Sequence, residues 1–431
     1  MKYFERNLLE ELKKWTKRRE MIIIKGPRQS GKTTLMKKLG EWLSGDMSVK
    51  PEDMTFITFE DREEMEKFST DPVDFVKRYA SDNGMHYLFI DEAQYCRDIG
   101  QKLKLIYDTY DDVKLFVTGS SSLEITAETS KYLVGRSFSF ELHPFSFHEF
   151  LNARDKKLAR LFMETKSDLM KLFLEGKEFK SRGKDVHIPE LLKMYGEYVT
   201  YGGYPEVVKS TSDEERVMVI KNIFNTYLEK DVISYLQITD TGKFRKLVSV
   251  LSSITGGLVS YDKLLKSCGG YFKEITGLLD VLEQTYVVKF LRPFHKNMVT
   301  ELRKSPKVYF HDYGLRNYAI NNFNALDIRD DAGKLAENFV LNEVSSYSEN
   351  MFINFWRTTA KAEVDIVLTI GERIVPIEVK FENMKEEKIT RSFLSFIETY
   401  EPEFAIVASK DFWGERKIGK TTVKFIPLVY F

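Results

Sequence analysis

The chain has 431 residues, 43% hydrophobic and 13% aromatic, too long for one core and apolar enough for two or three packed domains. Its 65 basic and 65 acidic residues cancel, so no overall charge draws it to nucleic acid, and such binding must come from local patches. Its two cysteines, Cys96 and Cys268, are far apart and lack metal-ligand spacing, which excludes a disulfide framework or zinc site and fits a reducing, cytoplasmic setting.

Residues 1–6 predict the start of a charged amphipathic helix rather than a signal peptide. No apolar run approaches the roughly 20 residues of a membrane span, so no membrane partner is expected. Met21 to Lys25, with three consecutive isoleucines, predicts a short buried strand. The segment Gly26-Pro27-Arg28-Gln29-Ser30-Gly31-Lys32-Thr33 then fits G-x-x-x-x-G-K-[ST] at every fixed position. Thr34 to Leu43 predicts a helix, with Leu35, Leu39 and Leu43 four apart on one face. Strand, glycine-rich loop and helix in that order predict a cradle for the phosphates of a nucleotide, built from residues 26–34. Lys32 supplies the mobile positive charge and Thr33 a magnesium ligand.

Met54 to Phe59 predicts a strand, Pro72 to Ala80 a helix, and His86 to Ile90 a buried strand ending in Asp91-Glu92. An acid at the carboxyl end of such a strand lies at the sheet edge where ligands bind. Asp91 is expected to hold magnesium and Glu92 to polarise the attacking water, against the plainer alternative of a helix cap. Leu115 to Thr118 predicts a further buried strand, and Ser120 beyond it is expected to sense the γ-phosphate. Arg136, after Gly135, is a candidate arginine finger, acting in cis or on a neighbouring subunit of a homo-oligomer, against an ordinary exposed arginine.

Arg154 to Gly183 is dense in charge with apolar residues at helical spacing, and predicts an inserted helical pair serving as lid or contact surface. Val217 to Leu236 predicts a helix. From Phe244 to Asn297 the pattern suggests a winged helix: helices at 243–254, 261–267 and 271–285, then strands at 287–291 and 307–310. Lys263, Lys266, Lys273, Lys289, Arg292 and Lys296 are candidate phosphate contacts. Glu274, Asp280 and Glu283 on the third helix leave protein contact as an equal alternative to DNA.

The C-terminal part predicts a helix over 332–347, strands at 352–356, 364–370 and 374–380, a helix over 386–400 and a strand over 403–409. Glu378 and Lys380 share one face of their strand, and Asp365 sits on its hairpin partner. An acid followed by Glu-x-Lys on the paired strand resembles the PD-(D/E)xK nuclease motif. That resemblance implies that Asp365 and Glu378 hold one or two divalent metals, with Glu337 joining from the preceding helix. Lys380 then orients or deprotonates the nucleophile. Hard oxygen ligands suit Mg2+ or Mn2+. The plainer alternative is a cross-strand cluster of ion pairs.

Segments spread over nearly the whole chain combine into one further resemblance. They include Phe89-Ile90-Asp91-Glu92-Ala93-Gln94, Gly202-Gly203-Tyr204-Pro205-Glu206, Phe310-His311-Asp312-Tyr313-Gly314-Leu315 and Glu337-Asn338-Phe339-Val340. With the phosphate loop and Pro376-Ile377-Glu378-Val379-Lys380, the chain resembles archaeal and bacterial AAA-type P-loop ATPases. These carry a winged helix and end in a PD-(D/E)xK nuclease-like domain of uncharacterised function. The resemblance implies an α/β fold class, with an ATPase core over 1–205, a helical and winged-helix domain over 206–320 and a restriction-endonuclease-like domain over 321–431. It implies ATP with Mg2+ as cofactors. Two functions follow as expectations: an ATP-hydrolysing protein acting on DNA through its last domain, or an ATP-driven signalling switch whose last domain only binds.

Overall fold

The computed structural model describes residues 3–79, 84–119, 131–179, 185–226, 241–294, 305–348 and 350–431. Five parallel strands form the first sheet: β1 (Met21–Lys25), β2 (Met54–Thr58), β3 (His86–Asp91), β4 (Val113–Gly119) and β5 (Ser137–Glu141), in the order β2-β3-β4-β1-β5. The three central strands, β3, β4 and β1, are almost wholly buried, as parallel strands covered on both faces must be. Successive residues of β1 point to opposite faces. Ile22 and Ile24 pack with Leu35, Leu39 and Leu43 of the helix Lys32–Gly45, while Met21 and Ile23 pack with Ile106 and Phe68 on the other side.

The N-terminal helix runs from Asn7 to Trp15, later than expected, because Arg6 is extended and its side chain is drawn into the interior. The helix expected over 217–236 is described as Asp213–Thr226, and its remainder lies outside the described residues.

From residue 241 on, the described residues form the helices Thr241–Ser253, Tyr261–Cys268 and Phe272–Gln284, followed by β6 (Val288–Leu291) and β7 (Lys307–Phe310), which pair antiparallel. Apolar residues from all five elements meet in one core with Ile220, Ile223 and Phe224.

The second large sheet comprises β8 (Phe352–Arg357), β9 (Glu363–Ile370), β10 (Arg373–Lys380), β11 (Phe404–Ser409), β12 (Gly414–Ile418) and β13 (Thr421–Pro427). Its order is β12-β13-β11-β10-β9-β8, mixed parallel and antiparallel. The helices Ala332–Ser345 and Arg391–Tyr400 cover opposite faces, with Phe339 and Val340 in one core and Phe393 and Phe396 in the other. The second of these helices starts five residues later than the 386 expected, where Thr390 caps it.

Among its described residues, the charged segment 154–183 carries one 20-residue helix, Lys156–Glu175, and not a helical pair. Leu158, Phe162, Leu169, Leu172 and Phe173 form its buried stripe. They share a core with Phe147, Tyr195, Phe339, Ile377 and Tyr430. The helix is therefore a structural layer against the C-terminal sheet rather than a lid over the phosphate loop.

Two tight junctions fix the units together. Gly202 has φ +84°, and a Cβ there would lie 2.4 Å from Asp312 Oδ2, so only glycine fits against that carboxylate. Gly203 donates its N–H to Asp312 Oδ2 at 2.8 Å and accepts from Phe145 N at 2.8 Å.

Candidate functional site

The phosphate loop curls because Gln29 (φ 60°) and Gly31 (φ 99°) both take left-handed backbone conformations. Gly26 lies against Leu142, where any Cβ would be 2.2 Å from the Leu142 carbonyl oxygen. The loop is thus pinned to the end of β5. Lys32 is buried and donates to the carbonyls of Gly26 and Pro27, each at 2.9 Å, so its ammonium closes the curl it belongs to. Ser30 Oγ is buried with no hydrogen-bond partner, a polar atom left over inside the cradle.

The acid strand meets this loop. Thr33 Oγ1 donates to Asp91 Oδ2 at 2.6 Å, and Thr118 Oγ1 donates to Asp91 Oδ1. Both carboxylate oxygens of Asp91 are therefore oriented by hydroxyls, one from the first turn of the helix Lys32–Gly45 and one from the carboxyl end of β4. Glu92 follows in a left-handed conformation at φ 54°, donates its N–H to Thr118 Oγ1 at 3.2 Å, and accepts from the Gln94 amide through its carboxylate. Arg28 donates to the Tyr95 hydroxyl at 2.7 Å, tying the loop to the segment beyond the acids. Lys32, Thr33, Asp91 and Glu92 thus lie at one sheet edge, with Gly26, Pro27, Arg28, Gln29, Ser30, Gly31 and Thr34 lining the cradle. A magnesium ion fits the oxygen donors of Thr33 and Asp91.

Ser120 lies outside the described residues. The hydroxyl found against Asp91 belongs to Thr118, two residues earlier and still on β4, which sequence reasoning did not single out. Its signal is a polar residue closing the apolar run Leu115–Val117.

Arg136 requires a correction. It precedes β5, and its carbonyl accepts from the N–H of Met21, the first residue of β1. The phosphate loop follows the last residue of the same strand. The two are at opposite ends of the sheet, about 17 Å apart at the rise of a strand. Arg136 is engaged with Asp108, Nε to Oδ1 at 2.8 Å and Nη2 to Oδ2 at 3.2 Å. A finger acting on its own chain's nucleotide is excluded by this placement.

The C-terminal residues also converge, but not as a metal cage. Asp365 Oδ2 accepts from Val379 N at 2.9 Å, so β9 and β10 bring the two motif strands together as expected. Glu378 is buried and binds Lys380 Nζ at 2.9 Å and Thr390 Oγ1 at 3.1 Å. Glu337 is buried and turned elsewhere, to Lys307 Nζ at 2.8 Å, to Lys334 Nζ at 2.9 Å and to the Tyr309 hydroxyl. Among the described residues no group of three His, Cys, Asp or Glu side chains is arranged to hold a metal ion. The expected trio Glu337, Asp365 and Glu378 does not fit Mg2+ or Mn2+ in this arrangement, because lysines hold both oxygens of Glu337 and one of Glu378, and the Val379 N–H holds one of Asp365. Lys380 serves as the partner of Glu378.

Charge follows the same pattern. Burial works against the Lys307 ammonium, but Glu337, Asp365 and Glu363 outweigh it and hold its pKa above the usual lysine range. Burial would raise the Glu337 carboxyl, yet Lys307 and Lys334 hold it below the usual value. Asp365 is pushed up by burial and then by Glu337 and Glu378, which Lys307 only partly offsets.

Of the candidate phosphate contacts, Lys263, Lys266, Lys273 and Arg292 are exposed on the middle unit, as are Lys246, which the sequence reading did not name, Tyr271 (66% exposed) and Phe272 (58%). Lys289 is half-buried against Ser345 Oγ at 2.7 Å and is not free to meet a phosphate. Lys296 lies outside the described residues.

Fold and site together form an α/β core built around a phosphate loop, and residues 18–151 of it match the AAA domain family. Residues 192–326 match a domain of unknown function (DUF8612), and residues 332–430 another (DUF4143). An uncharacterised protein of Haemophilus influenzae is 23% identical over 408 residues, covering 91% of this chain and 90% of its own. The uncharacterised protein MJ1544 of Methanocaldococcus jannaschii is 23% identical over 368 residues, covering 84% and 74%. Among solved structures, PCH-2 of C. elegans is 16% identical over 52% of this chain and 63% of its own, with a TM-score of 0.30. Domain III of the replication initiation protein DnaA of Thermotoga maritima is 17% identical over 50% and 90%, with a TM-score of 0.27. At such scores neither structure carries an argument about function. Among the described residues no helix is long and apolar enough to cross a membrane.

Proposed function

We propose that the protein binds ATP with Mg2+, hydrolyses it, and uses the cycle as a switch that repositions its middle and C-terminal units. The observation that carries this reading is the coupling of the phosphate loop to the acid strand, Thr33 to Asp91 to Thr118, beside the buried Lys32. The loop N–H groups and Lys32 would hold the β- and γ-phosphates, and Thr33 with Asp91 would hold magnesium. Magnesium, when bound, draws off negative charge on the transferring phosphoryl group. Lys32 must leave the carbonyls of Gly26 and Pro27 to meet a phosphate, so nucleotide binding reshapes the loop. Glu92, steadied by Gln94, polarises the attacking water.

The test is calorimetry and phosphate release on the full chain. Lys32→Ala should lose ATP binding, while Asp91→Asn should retain binding in part and lose hydrolysis. Hydrolysis that survives in Lys32→Ala would remove the proposal.

The exposed Tyr271 and Phe272 among four lysines favour a nucleic-acid contact on the middle unit, aromatic faces for bases and ammonium groups for phosphates. On this reading the C-terminal domain is a binding module rather than a nuclease. DNA binding that weakens steeply with salt and is lost in a Lys263→Glu, Lys266→Glu variant supports it. Binding unchanged by those substitutions refutes it. Arg136 could serve only a nucleotide held by a second copy, so any role for it requires ATP-dependent self-association, visible by mass photometry.

A further inference from the structure

The C-terminal acid centre contains a cation already. Lys307 is the first residue of β7, which belongs to the middle unit, yet its side chain is 1% exposed and lies inside the C-terminal domain. Its Nζ is 2.8 Å from Glu337 Oε1, 2.6 Å from Glu363 Oε1 and 3.9 Å from Asp365 Oδ1. These acids come from two elements, the helix Ala332–Ser345 and β9, and the ammonium stands between them. Three further acid oxygens nearby have bases of their own, while Asp365 Oδ2 accepts from the Val379 N–H. Lys334 takes Glu337 Oε2, Arg357 takes Glu363 Oε2 at 2.6 Å, and Lys380 takes Glu378 Oε1. Four carboxylates (Glu337, Glu363, Asp365, Glu378) therefore face four cationic side chains (Lys307, Lys334, Arg357, Lys380).

A divalent ion needs several of these oxygens at about 2.0–2.6 Å from one point. An ammonium within hydrogen-bond distance of two of them takes that point and the charge. The intrusion is built in. Gly256 donates its N–H to Val308 O at 2.8 Å, and a Cβ on Gly256 would lie 3.1 Å from Glu337 Oε2, so the backbone behind Lys307 is held close to the acids. Phe355 N donates to Arg292 O at 3.1 Å, docking the chain beyond β6 onto the edge strand β8 of the C-terminal sheet.

We propose that Lys307 is the resident cation of the C-terminal acid centre, making that centre an electrostatic seam between the middle and C-terminal units rather than a divalent-metal site. The seam stands independently of the ATP reading, since none of its residues belongs to the phosphate loop or to β3. It explains why a domain with nuclease-like spacing of Asp365, Glu378 and Lys380 serves as a docking partner. A buried charge left without its partner is strongly destabilising, so the seam also makes the two units depend on each other.

The experiment uses the full chain without nucleotide, in an Asp91→Asn background that removes the phosphate-loop metal site. Mn2+ is titrated by electron paramagnetic resonance. No Mn2+ uptake that depends on Asp365 is expected up to millimolar ion, and uptake that Asp365→Asn abolishes overturns the proposal. In parallel, Lys307→Met should lower the melting temperature by several degrees or more, and adding Glu337→Gln should recover part of the loss. A Lys307→Met variant as stable as the parent overturns the proposal equally. If Lys307→Met does not fold, the Mn2+ titration of the parent decides alone.

Discussion

Thr118 shows how a single hydroxyl can govern a site without touching its ligand. It is wholly buried at the end of β4, donates to Asp91 Oδ1 and accepts from Glu92 N, so it sets the orientation of both acids. Partners that orient a metal-holding carboxylate are worth about 10–100-fold in activity. Thr118→Val keeps the shape and removes the donor. We expect kcat for ATP hydrolysis to fall about 10–100-fold while ATP affinity changes much less, checked by phosphate release beside calorimetry. An unchanged kcat would mean that Thr33 alone orients Asp91. At this scale the sequence was legible where chemistry is local. The glycine pattern marked where the chain curls after β1, and an apolar strand ending in acids placed Asp91-Glu92 at the end of β3. The Thr118 contact was not legible, because it depends on β3 and β4 lying side by side in register, with Phe89 against Phe116. Lys307 was hidden for the same reason, being 30 residues from Glu337 in the chain.

At the scale of elements, the segments Gly202-Gly203 and His311-Asp312 act as a joint. Helix Ile188–Tyr201 ends at Gly202, and Asp312 caps the helix Tyr313–Ala319 by accepting from Leu315 N at 3.0 Å while also holding Gly203 N. A Cβ on Gly203 would lie 2.4 Å from the Phe145 carbonyl oxygen, which is backbone and cannot turn aside. Gly203→Ala should therefore destabilise the protein by about 2–3 kcal/mol, the usual cost of overpacking a rigid site. A denaturation midpoint equal to the parent's would show that the joint can open. Burial raises the Asp312 carboxyl to about 6, only partly countered by the N–H groups of Leu315, Gly203 and Gly314. The folded protein thus holds this proton more tightly than the unfolded chain, whose value is near 4. The stability this supplies is complete below about pH 4 and lost as pH rises through 6, about 3 kcal/mol at about 1.4 kcal/mol per pH unit. The stability of the parent relative to Asp312→Asn, which cannot titrate there, should fall by that amount between pH 4 and 7. A flat difference would place the Asp312 value near the unfolded one. The motifs of this joint are plain in the sequence as glycines and an acid, but their reason is a close approach between segments about 110 residues apart, which spacing does not encode.

Across the whole molecule, one arginine connects the phosphate loop to the distant half. Arg6 is buried, with Nη1 on Ser30 O at 2.6 Å, Nη2 on His143 O at 2.6 Å and Nε on Glu149 Oε1 at 3.0 Å. Glu149 closes the capping box of the helix Phe147–Arg154, whose first residue, Phe147, donates its N–H to Glu343 Oε1 at 3.0 Å. Glu343 also holds Lys166 at 2.7 Å and lies on the helix Ala332–Ser345, the helix that carries Glu337. A continuous polar path thus runs from the phosphate cradle to the helix that bears the Lys307 seam. Such a path transmits nothing unless one of its members has two arrangements. Here the loop supplies them, because Lys32 must exchange the carbonyls of Gly26 and Pro27 for phosphate, and Arg6 grips the residue between. Arg6→Ala removes the grip and leaves Glu149 buried without its cation. We expect ATP affinity to weaken by about 5–10-fold, the range of ordinary couplings between sites. The decisive measurement is hydrogen exchange on the helix Ala332–Ser345 with and without ATP. In the parent, ATP should change its protection; in Arg6→Ala at saturating ATP, that change should vanish while the protection of the loop helix Lys32–Gly45 still responds. If the distant helix responds equally in both proteins, the signal travels by another route, and Arg6 only braces the loop.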